Sequence, residues 1–203
     1  MKRLLIILCA GLLSLGILST AGAAVLTFDD ISDSEFGVIP DGYGGFSWEN
    51  MWFLRSDRYP NSGYNNGTVS GNYVAYNYFT RMTTVYNGVF NFTGAYFTGA
   101  WNNNLNIELK GLLGGAEVFS DTILVDVYGP TWFSAGYTGI DQLIISSYGG
   151  QNAGLGHSGT QFAMDNFSYT YGIYSPVPEP ATIFLLGAGF LGMAGLGRRK
   201  FSG

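Results

Sequence analysis

Cysteine and histidine are almost absent from this chain of 203 residues, and the shortage excludes several kinds of chemistry. The only cysteine is Cys9 and the only histidine is His157. Zinc sites of the usual kind need several Cys or His ligands, so such a site is excluded. An internal disulfide is excluded too, because a single cysteine has no partner. Stability must come from a hydrophobic core, from backbone pairing or from a bound metal.

Basic residues are scarce in the middle of the chain. Residues 25–180 contain all 14 acidic residues and four basic ones, which gives this region a net charge of about −10. Nucleic acids and anionic membrane surfaces need basic patches, so neither is expected as a partner of this region. An acidic and polar surface fits neutral ligands, cations or plain solubility.

Catalytic signatures are also missing. No Gly-x-Ser-x-Gly elbow accompanies His157, which we interpret as a solvated loop residue and not as part of a Ser-His-Asp triad. Paired carboxylates can hydrolyse glycosidic bonds, but no pair stands out among the glutamates. We therefore expect a protein that is not an enzyme. A surface glycan hydrolase or lyase is the alternative.

The N-terminus has the three parts of a secretory signal peptide. A positive segment, Met1–Arg3, precedes an apolar run and then a stretch of small residues with an Ala-x-Ala pattern that ends at Ala23. Cleavage is predicted after Ala23 or Ala24, so residues 1–24 form the predicted signal peptide. The protein is expected to be exported, and its cysteine is lost with the signal.

The C-terminal residues run from a short motif through an apolar span to a basic end. The motif is Val177, Pro178, Glu179 and Pro180, and the basic end is Arg198, Arg199 and Lys200. Prolines fix φ and leave an extended, accessible peptide. The apolar run 181–196 can enter a bilayer as a short hydrophobic helix, with the basic end on the cytoplasmic side. It is shorter than the roughly 20 residues of a stable span, so a transient span and an ordinary anchor are both open.

This arrangement resembles the PEP-CTERM sorting signal of Gram-negative bacteria, here residues 175–203. The resemblance implies that an exosortase recognises the Pro-Glu-Pro tract and cleaves near it, with Glu179 as a recognition residue. It implies an inner-membrane intermediate that contacts the membrane through its C-terminal span. It also implies final delivery to the cell surface or to the extracellular matrix of a biofilm.

Residues 25–174 remain as one domain, and its patterns are those of β-strands. Strand signals alternate with Gly- and Asn-rich breaks, and helix signals are nearly absent. The clearest strand is 104–110, where Leu105, Ile107 and Leu109 alternate with polar residues. Because helical crossovers are missing, the sheets should be antiparallel. The sequence predicts an all-β fold, an antiparallel β-sandwich of the jelly-roll type, with a barrel as the alternative.

The last predicted strand changes phase. Phe162 and Met164 are apolar at even positions, and Phe167 and Tyr169 at odd positions, so a β-bulge is predicted at 165–166. The opening residues 26–30 and the closing residues 162–167 resemble the first and last strands of carbohydrate-binding-module-like jelly rolls. The resemblance implies that fold for the exported domain.

Three aspartates are candidate ligands of a structural calcium ion. If the first and last strands are neighbours, Asp29 or Asp30 would meet Asp165. Calcium binds six to eight oxygens, which such carboxylates can supply. The alternative is that Asp29 and Asp30 end a strand and cap a turn.

Aromatic residues are the remaining indication of a binding function. Their rings can stack on sugars, while neighbouring polar groups bind the sugar hydroxyls. The candidate glycan-binding residues are Tyr43, Trp48, Trp52, Tyr59 and Tyr64. On one strand, Trp48 and Trp52 would share a face about 13 Å apart, whereas a turn at 49–50 would separate them. The alternative for each ring is a place in the core.

We predict an exported protein that binds extracellular polysaccharide without catalysis or serves as a matrix component. A structural protein with no glycan ligand is a further alternative.

Overall fold

The computed structural model describes residues 23–171, which form an all-β fold with one short helix, as predicted. The elements are β1 (Ala24–Leu26), β2 (Phe36–Val38), β3 (Ser47–Glu49), β4 (Met51–Arg55), α1 (Gly63–Asn66), β5 (Tyr73–Asn77), β6 (Thr83–Gly99), β7 (Asn102–Asn103), β8 (Leu105–Leu113), β9 (Ala116–Val125), β10 (Thr131–Tyr148), β11 (Gln151–Asn152) and β12 (Phe162–Tyr171). Single 3-10 turns lie at Tyr43–Gly45, Ser56–Arg58 and Tyr78–Thr80.

All strand pairs in the described residues are antiparallel. The main sheet has the order β2-β4-β5-β12-β6-β10-β8-β9, with β1 beside β12 and β3 beside β6. The long strands β6 and β10 belong to both layers of the fold. The start of β6 pairs with β3, while its second half pairs with β12. The end of β10 pairs with β8. The predicted antiparallel β-sandwich is confirmed, with its two layers joined through these strands.

The core between the layers is rich in phenylalanine. Its fully buried aromatic residues include Phe28, Phe46, Phe90, Phe92, Phe97, Phe162 and Phe167. Leu105, Ile107 and Leu109 of β8 are also fully buried, as their alternation predicts. Each such side chain contributes about 1.5–3 kcal/mol on burial. The core therefore stabilises the domain without disulfides.

The predicted bulge in β12 is confirmed. The pairing of β12 with β6 slips between Asp165 and Ser168, and Asn166 has a φ of 53°. The slip lets Phe162 and Met164 before it, and Phe167 after it, all enter the core. It also leaves Asp165 buried on the opposite face of the sheet.

The first and last strands of the domain are neighbours, because β1 pairs with β12 from Ala24 opposite Tyr169 to Leu26 opposite Phe167. Among residues 23–171 no helix is long and apolar enough to cross a bilayer. The predicted sorting signal 175–203 with its span, and the predicted signal peptide up to residue 22, lie outside the described residues.

Candidate functional site

The structure separates the five candidate glycan-binding residues into two groups. Asn50, with a φ of 56°, turns the chain between β3 and β4. Trp48 therefore lies on β3, which pairs with β6, and Trp52 lies on β4, which pairs with β2 and β5. The prediction that these two tryptophans share one strand face is wrong, because the chain turns between them.

Trp48 belongs to the core, and Tyr43 supports it. Only 5% of Trp48 is exposed, and its ring packs against Phe28, Phe46 and Phe167. Its Nε1 donates a hydrogen bond of 2.9 Å to the carbonyl oxygen of Tyr43. Trp48 is thus closed to a glycan, which corrects its assignment as a ligand-binding residue.

Tyr43 is half-buried and has its hydroxyl engaged by protein groups. The hydroxyl donates to Asp30 Oδ1 at 2.7 Å and accepts from the backbone N–H of Phe28 at 3.1 Å. Burial, reinforced by the hydrogen bond to Asp30, raises the pKa of the Tyr43 phenol above its ordinary value. Asp30 and Tyr43 therefore fasten the residues after β1 to the turn before β3.

The other three candidates meet on the outer face of the layer formed by β4, β5 and β12. Trp52 lies directly opposite Tyr76, which lies opposite Ala163, so the three residues share this face. Tyr64 of α1 is buried against the same face, with ring centroids 5.5 Å from Tyr76 and 5.9 Å from Tyr59. Helix α1 thus covers one part of the face and leaves another open.

We call the resulting feature the outer aromatic surface. Its members are Trp52, Tyr59, Tyr64, Tyr76, Tyr78, Phe79, Trp101 and His157. Trp52 and Tyr78 are stacked, with centroids 3.9 Å apart and planes within 9° of parallel. Tyr64 meets Trp101 edge to face at 5.5 Å, and the Trp101 ring lies 4.7 Å from that of His157. The rings form a continuous series across the face, in which Tyr64 and Trp101 are buried, at 4% and 8% exposed, and support the more open rings. Tyr64 is therefore closed to a glycan, which corrects its assignment as a ligand-binding residue.

One end of the outer aromatic surface protrudes. Phe79 is 65% exposed and has a φ of 51°, which is unfavourable for a bulky residue. The next residue, Thr80, has a φ of 58°. Strained backbone of this kind is concentrated at functional sites. The stacked Trp52 and Tyr78 therefore adjoin an exposed aromatic ring held in a costly conformation.

The other end of the surface contains a pocket of about 250 Å³. The pocket is lined by Arg58, Tyr59, Pro60, Asn61, Ser62, Trp101, Leu155 and His157. Ser62 caps α1, because its Oγ accepts the N–H of Asn65 at 3.4 Å and donates to the carbonyl oxygen of Tyr59 at 2.7 Å. Apolar area combined with a few polar groups is typical of a small-molecule site.

Sequence reasoning missed several members of this surface. Tyr76 and Tyr78 lie at alternate positions of a recognisable strand, so their shared face was available from the pattern. Trp101 and His157 are distant in sequence and meet only through the fold. His157 is an exposed loop residue, as interpreted, but its ring contacts Trp101.

The three candidate calcium ligands have other partners. Asp165 Oδ2 accepts the backbone N–H groups of Val69 at 2.7 Å and Ser70 at 3.0 Å. Asp29 Oδ1 accepts those of Asn72 at 2.8 Å and Tyr73 at 3.2 Å. Both carboxylates thus hold the segment that links α1 to β5, and Asp30 binds the Tyr43 hydroxyl. Within residues 23–171 no three acidic, His or Cys side chains are grouped as metal ligands.

Burial dominates the electrostatics of Asp165. It raises the pKa of this carboxyl above its ordinary value, while the backbone N–H groups of Ser70, Val69 and Asn166 oppose the shift. The charge of Asp29 adds a smaller upward contribution.

A comparison with protein-family models finds the PEP-CTERM protein-sorting motif at residues 176–200. The match confirms the sorting signal predicted from the Pro-Glu-Pro tract and the basic end. The motif indicates an exported protein that an exosortase sorts to the cell surface. No curated protein matches the chain.

This chain is similar to two solved structures at low TM-scores and low identity. One is TmCBM61 in complex with β-1,4-galactotriose, at 14% identity and a TM-score of 0.38, covering 71% of this chain and 94% of that one. The other is the M60 catalytic domain with the CBM51-1 and CBM51-2 domains from Clostridium perfringens ZmpB. It has 10% identity and a TM-score of 0.29, and covers 72% of this chain and 15% of that one. Neither likeness carries an argument about ligands.

Proposed function

We propose that residues 23–171 form a non-catalytic polysaccharide-binding domain, presented outside the cell by a protein that carries a PEP-CTERM sorting signal. The observation that supports this proposal is the outer aromatic surface with its pocket. Polysaccharide chains are long, and their sugar rings present flat C–H faces. A row of rings on one sheet face, with polar groups at one end, suits such a ligand.

The contact area would be supplied by rings that are already fixed in place. Trp52 is held by its stack on Tyr78, and Tyr59 is held by its edge-to-face contact with Tyr64. Rigid rings lose little conformational entropy when a ligand binds, so more of the contact energy appears as affinity. The proposed role is therefore adhesion to a glycan, including a role in the extracellular matrix.

A hydrolase is the alternative with a structural observation in its favour. Glu49 and Asp141 both line a second cavity, of about 560 Å³. However, Asp141 Oδ2 already accepts the backbone N–H of Gly114 at 2.8 Å, which assigns it a role in the turn between β8 and β9. The members of the outer aromatic surface are all ring side chains, so none of them supplies a carboxylate for hydrolysis. Release of reducing ends from a bound polysaccharide would favour the hydrolase.

The proposal is tested by removing rings from the outer aromatic surface. A glycan array identifies the polysaccharides that bind, and affinity electrophoresis then measures how strongly they retain each variant. Trp52→Ala and Tyr59→Ala should each weaken retention by about tenfold, because central aromatic contacts contribute more than 1 kcal/mol each. Thermal melting shows whether either variant has lost its fold.

Trp132→Ala is the matched control. Trp132 is 40% exposed and packs on Tyr96 of β6, outside the outer aromatic surface. Its removal should leave retention unchanged. Equal losses in the Trp52 and Trp132 variants, or unchanged retention after both changes at Trp52 and Tyr59, would overturn the proposal.

A further inference from the structure

We propose that the 250 Å³ pocket binds the carboxylate of an acidic polysaccharide, a polymer that contains uronic acid, through Arg58 and His157. The inference rests on the proposed function and names the substrate class of the same surface. It goes beyond that function, because the outer aromatic surface alone would accept a neutral chain equally well.

The placement of the few basic side chains supports this assignment, although the domain as a whole is acidic. Residues 23–171 hold all the acidic residues of the chain except Glu179, thirteen of 14. Against these stand four Arg and Lys residues and a single His. Two of these five basic side chains, Arg58 and His157, line this one pocket, and no carboxylate lines it. A domain with so few basic side chains has placed two of them beside its aromatic rings.

Arg58 has the geometry to bind a carboxylate. It ends the 3-10 turn Ser56–Arg58, and its Nε lies 2.9 Å from Glu35 Oε1. Both side chains of this pair are more than half exposed, at 54% and 58%, so solvent weakens their attraction. The planar guanidinium can bind a carboxylate with two parallel hydrogen bonds. Glu35 is therefore a competitor that an acidic ligand would meet at the pocket rim.

His157 also lines the pocket. Its ring packs on Trp101, and its carbonyl oxygen accepts a hydrogen bond of 2.8 Å from Asn152 Nδ2. An imidazole N–H can donate to a second carboxylate oxygen. Asn61 and Tyr59 also line the pocket and carry polar groups that suit the remaining hydroxyls of the sugar.

The size of the pocket fits one sugar ring and not a longer segment. Its volume of about 250 Å³ is below the roughly 300–1,000 Å³ of sites for drug-sized molecules. Adjacent rings of the polymer would then lie outside the pocket, over Tyr76 and Trp52. The pocket thus selects the acidic residue, and the open rings hold the chain.

The experiment compares each acidic polymer with its own neutral form. The full chain, purified in detergent, is run in affinity electrophoresis against alginate, polygalacturonate, hyaluronan and xanthan, and against each of them after chemical reduction of its carboxyl groups. At least one acidic polymer should bind, and its reduced form should bind at least about tenfold more weakly, since hydrogen bonds to charged groups contribute about 1.5–3 kcal/mol. Retention should also fall as salt is raised.

Substitutions locate the effect in the pocket. Arg58→Gln combined with His157→Gln should weaken binding of the acidic polymer about tenfold or more and leave binding of the reduced polymer unchanged. Arg81→Gln removes the same charge from an exposed position outside the pocket and should change nothing. Glu35→Gln should strengthen acidic binding about threefold, because it removes a repelling charge close to the ligand.

The outcomes separate this inference from the proposed function. If some polymers bind and carboxyl reduction weakens none of them, the acidic-ligand inference is overturned and the polysaccharide-binding proposal stands. The same holds if the Arg81 and Arg58/His157 variants lose binding equally. If no acidic, reduced or neutral polysaccharide binds, both proposals fail.

Discussion

At the scale of single residues, two carboxylates perform a task that backbone pairing performs elsewhere. Asp165 and Asp29 accept four backbone N–H groups between Val69 and Tyr73. Buried N–H groups without acceptors are costly, and this connecting segment has no strand partner over most of its length. The bulge in β12 brings Asp165 to these donors. The bulge in β12 therefore positions a hydrogen-bond acceptor for the backbone of the segment that follows α1.

Replacement of Asp165 tests this role. Asp165→Ala leaves the N–H groups of Val69 and Ser70 without their acceptor, so the free energy of unfolding should fall by about 2–4 kcal/mol. Urea denaturation measures the loss. Asp33→Ala removes an exposed carboxylate and should change the stability by less than about 0.5 kcal/mol. Similar values for the two variants would contradict the anchoring role.

The raised pKa of Asp165 adds a dependence on pH. Between the unfolded value of about 3.9 and the higher folded value, the native state binds more protons than the unfolded state, so this group lowers stability as pH rises. The stability difference between wild type and Asp165→Ala should therefore shrink from pH 4 to pH 7.

Calcium at Asp29, Asp30 and Asp165 stays a prediction. A bound ion would favour the ionised carboxylate, and millimolar calcium would then raise the melting temperature of the wild type.

At the scale of elements, regular alternation of apolar and polar residues makes a strand predictable from the sequence. Where that alternation breaks, the sequence does not show how long the strand is. The pattern around Ile107 predicts β8, and the phase change at Asp165 predicts the bulge. The strands β6 and β10 are longer than their local alternation indicates, because irregular pairing interrupts it. Their register slips three times within one ladder. Such slips depend on contacts between distant strands, which a local pattern does not contain.

The sequence indicates which residue types form the candidate site but not how they are arranged in space. Trp52, Tyr59 and Tyr64 of the predicted set lie on one face of the sheet. A single left-handed residue, Asn50, separates them from Trp48. Asparagine tolerates the left-handed conformation but does not require it. The sequence therefore allows a turn at 49–50 as an alternative and does not predict it.

Helix α1 supports the site through one close backbone contact. A Cβ added at Gly63 would lie 1.8 Å from the carbonyl oxygen of Gly99 on β6, and backbone cannot easily move aside. Gly63→Ala should therefore shift α1, lower the free energy of unfolding by about 2 kcal/mol or more, and weaken glycan binding by displacing Tyr64. Gly129→Ala is the control, because its Cβ would meet nothing within 4 Å and its φ is ordinary. Equal stability and equal binding in the two variants would refute this role for α1.

At the scale of the whole molecule, the sorting signal and the domain have separate tasks, and they can be tested separately. Replacement of Pro178, Glu179 and Pro180 by alanine should leave an unprocessed protein in the inner membrane, because the extended motif for the exosortase is lost. Cell fractionation with an antibody against the domain measures this. Glycan binding by the retained protein should equal that of the wild type. Normal processing and release of the variant would refute the role of the motif.

The position of β12 determines how the domain would respond to mechanical force. The sorting signal follows this strand, so tension from a cell-anchored tail would enter the domain through Tyr171. β12 is an interior strand, paired with β6 over most of its length and with β5 and β1 over shorter stretches. A pull along its axis loads these hydrogen bonds together in shear and cannot peel them one at a time. A domain held at this end would thus resist tension through three neighbouring strands at once.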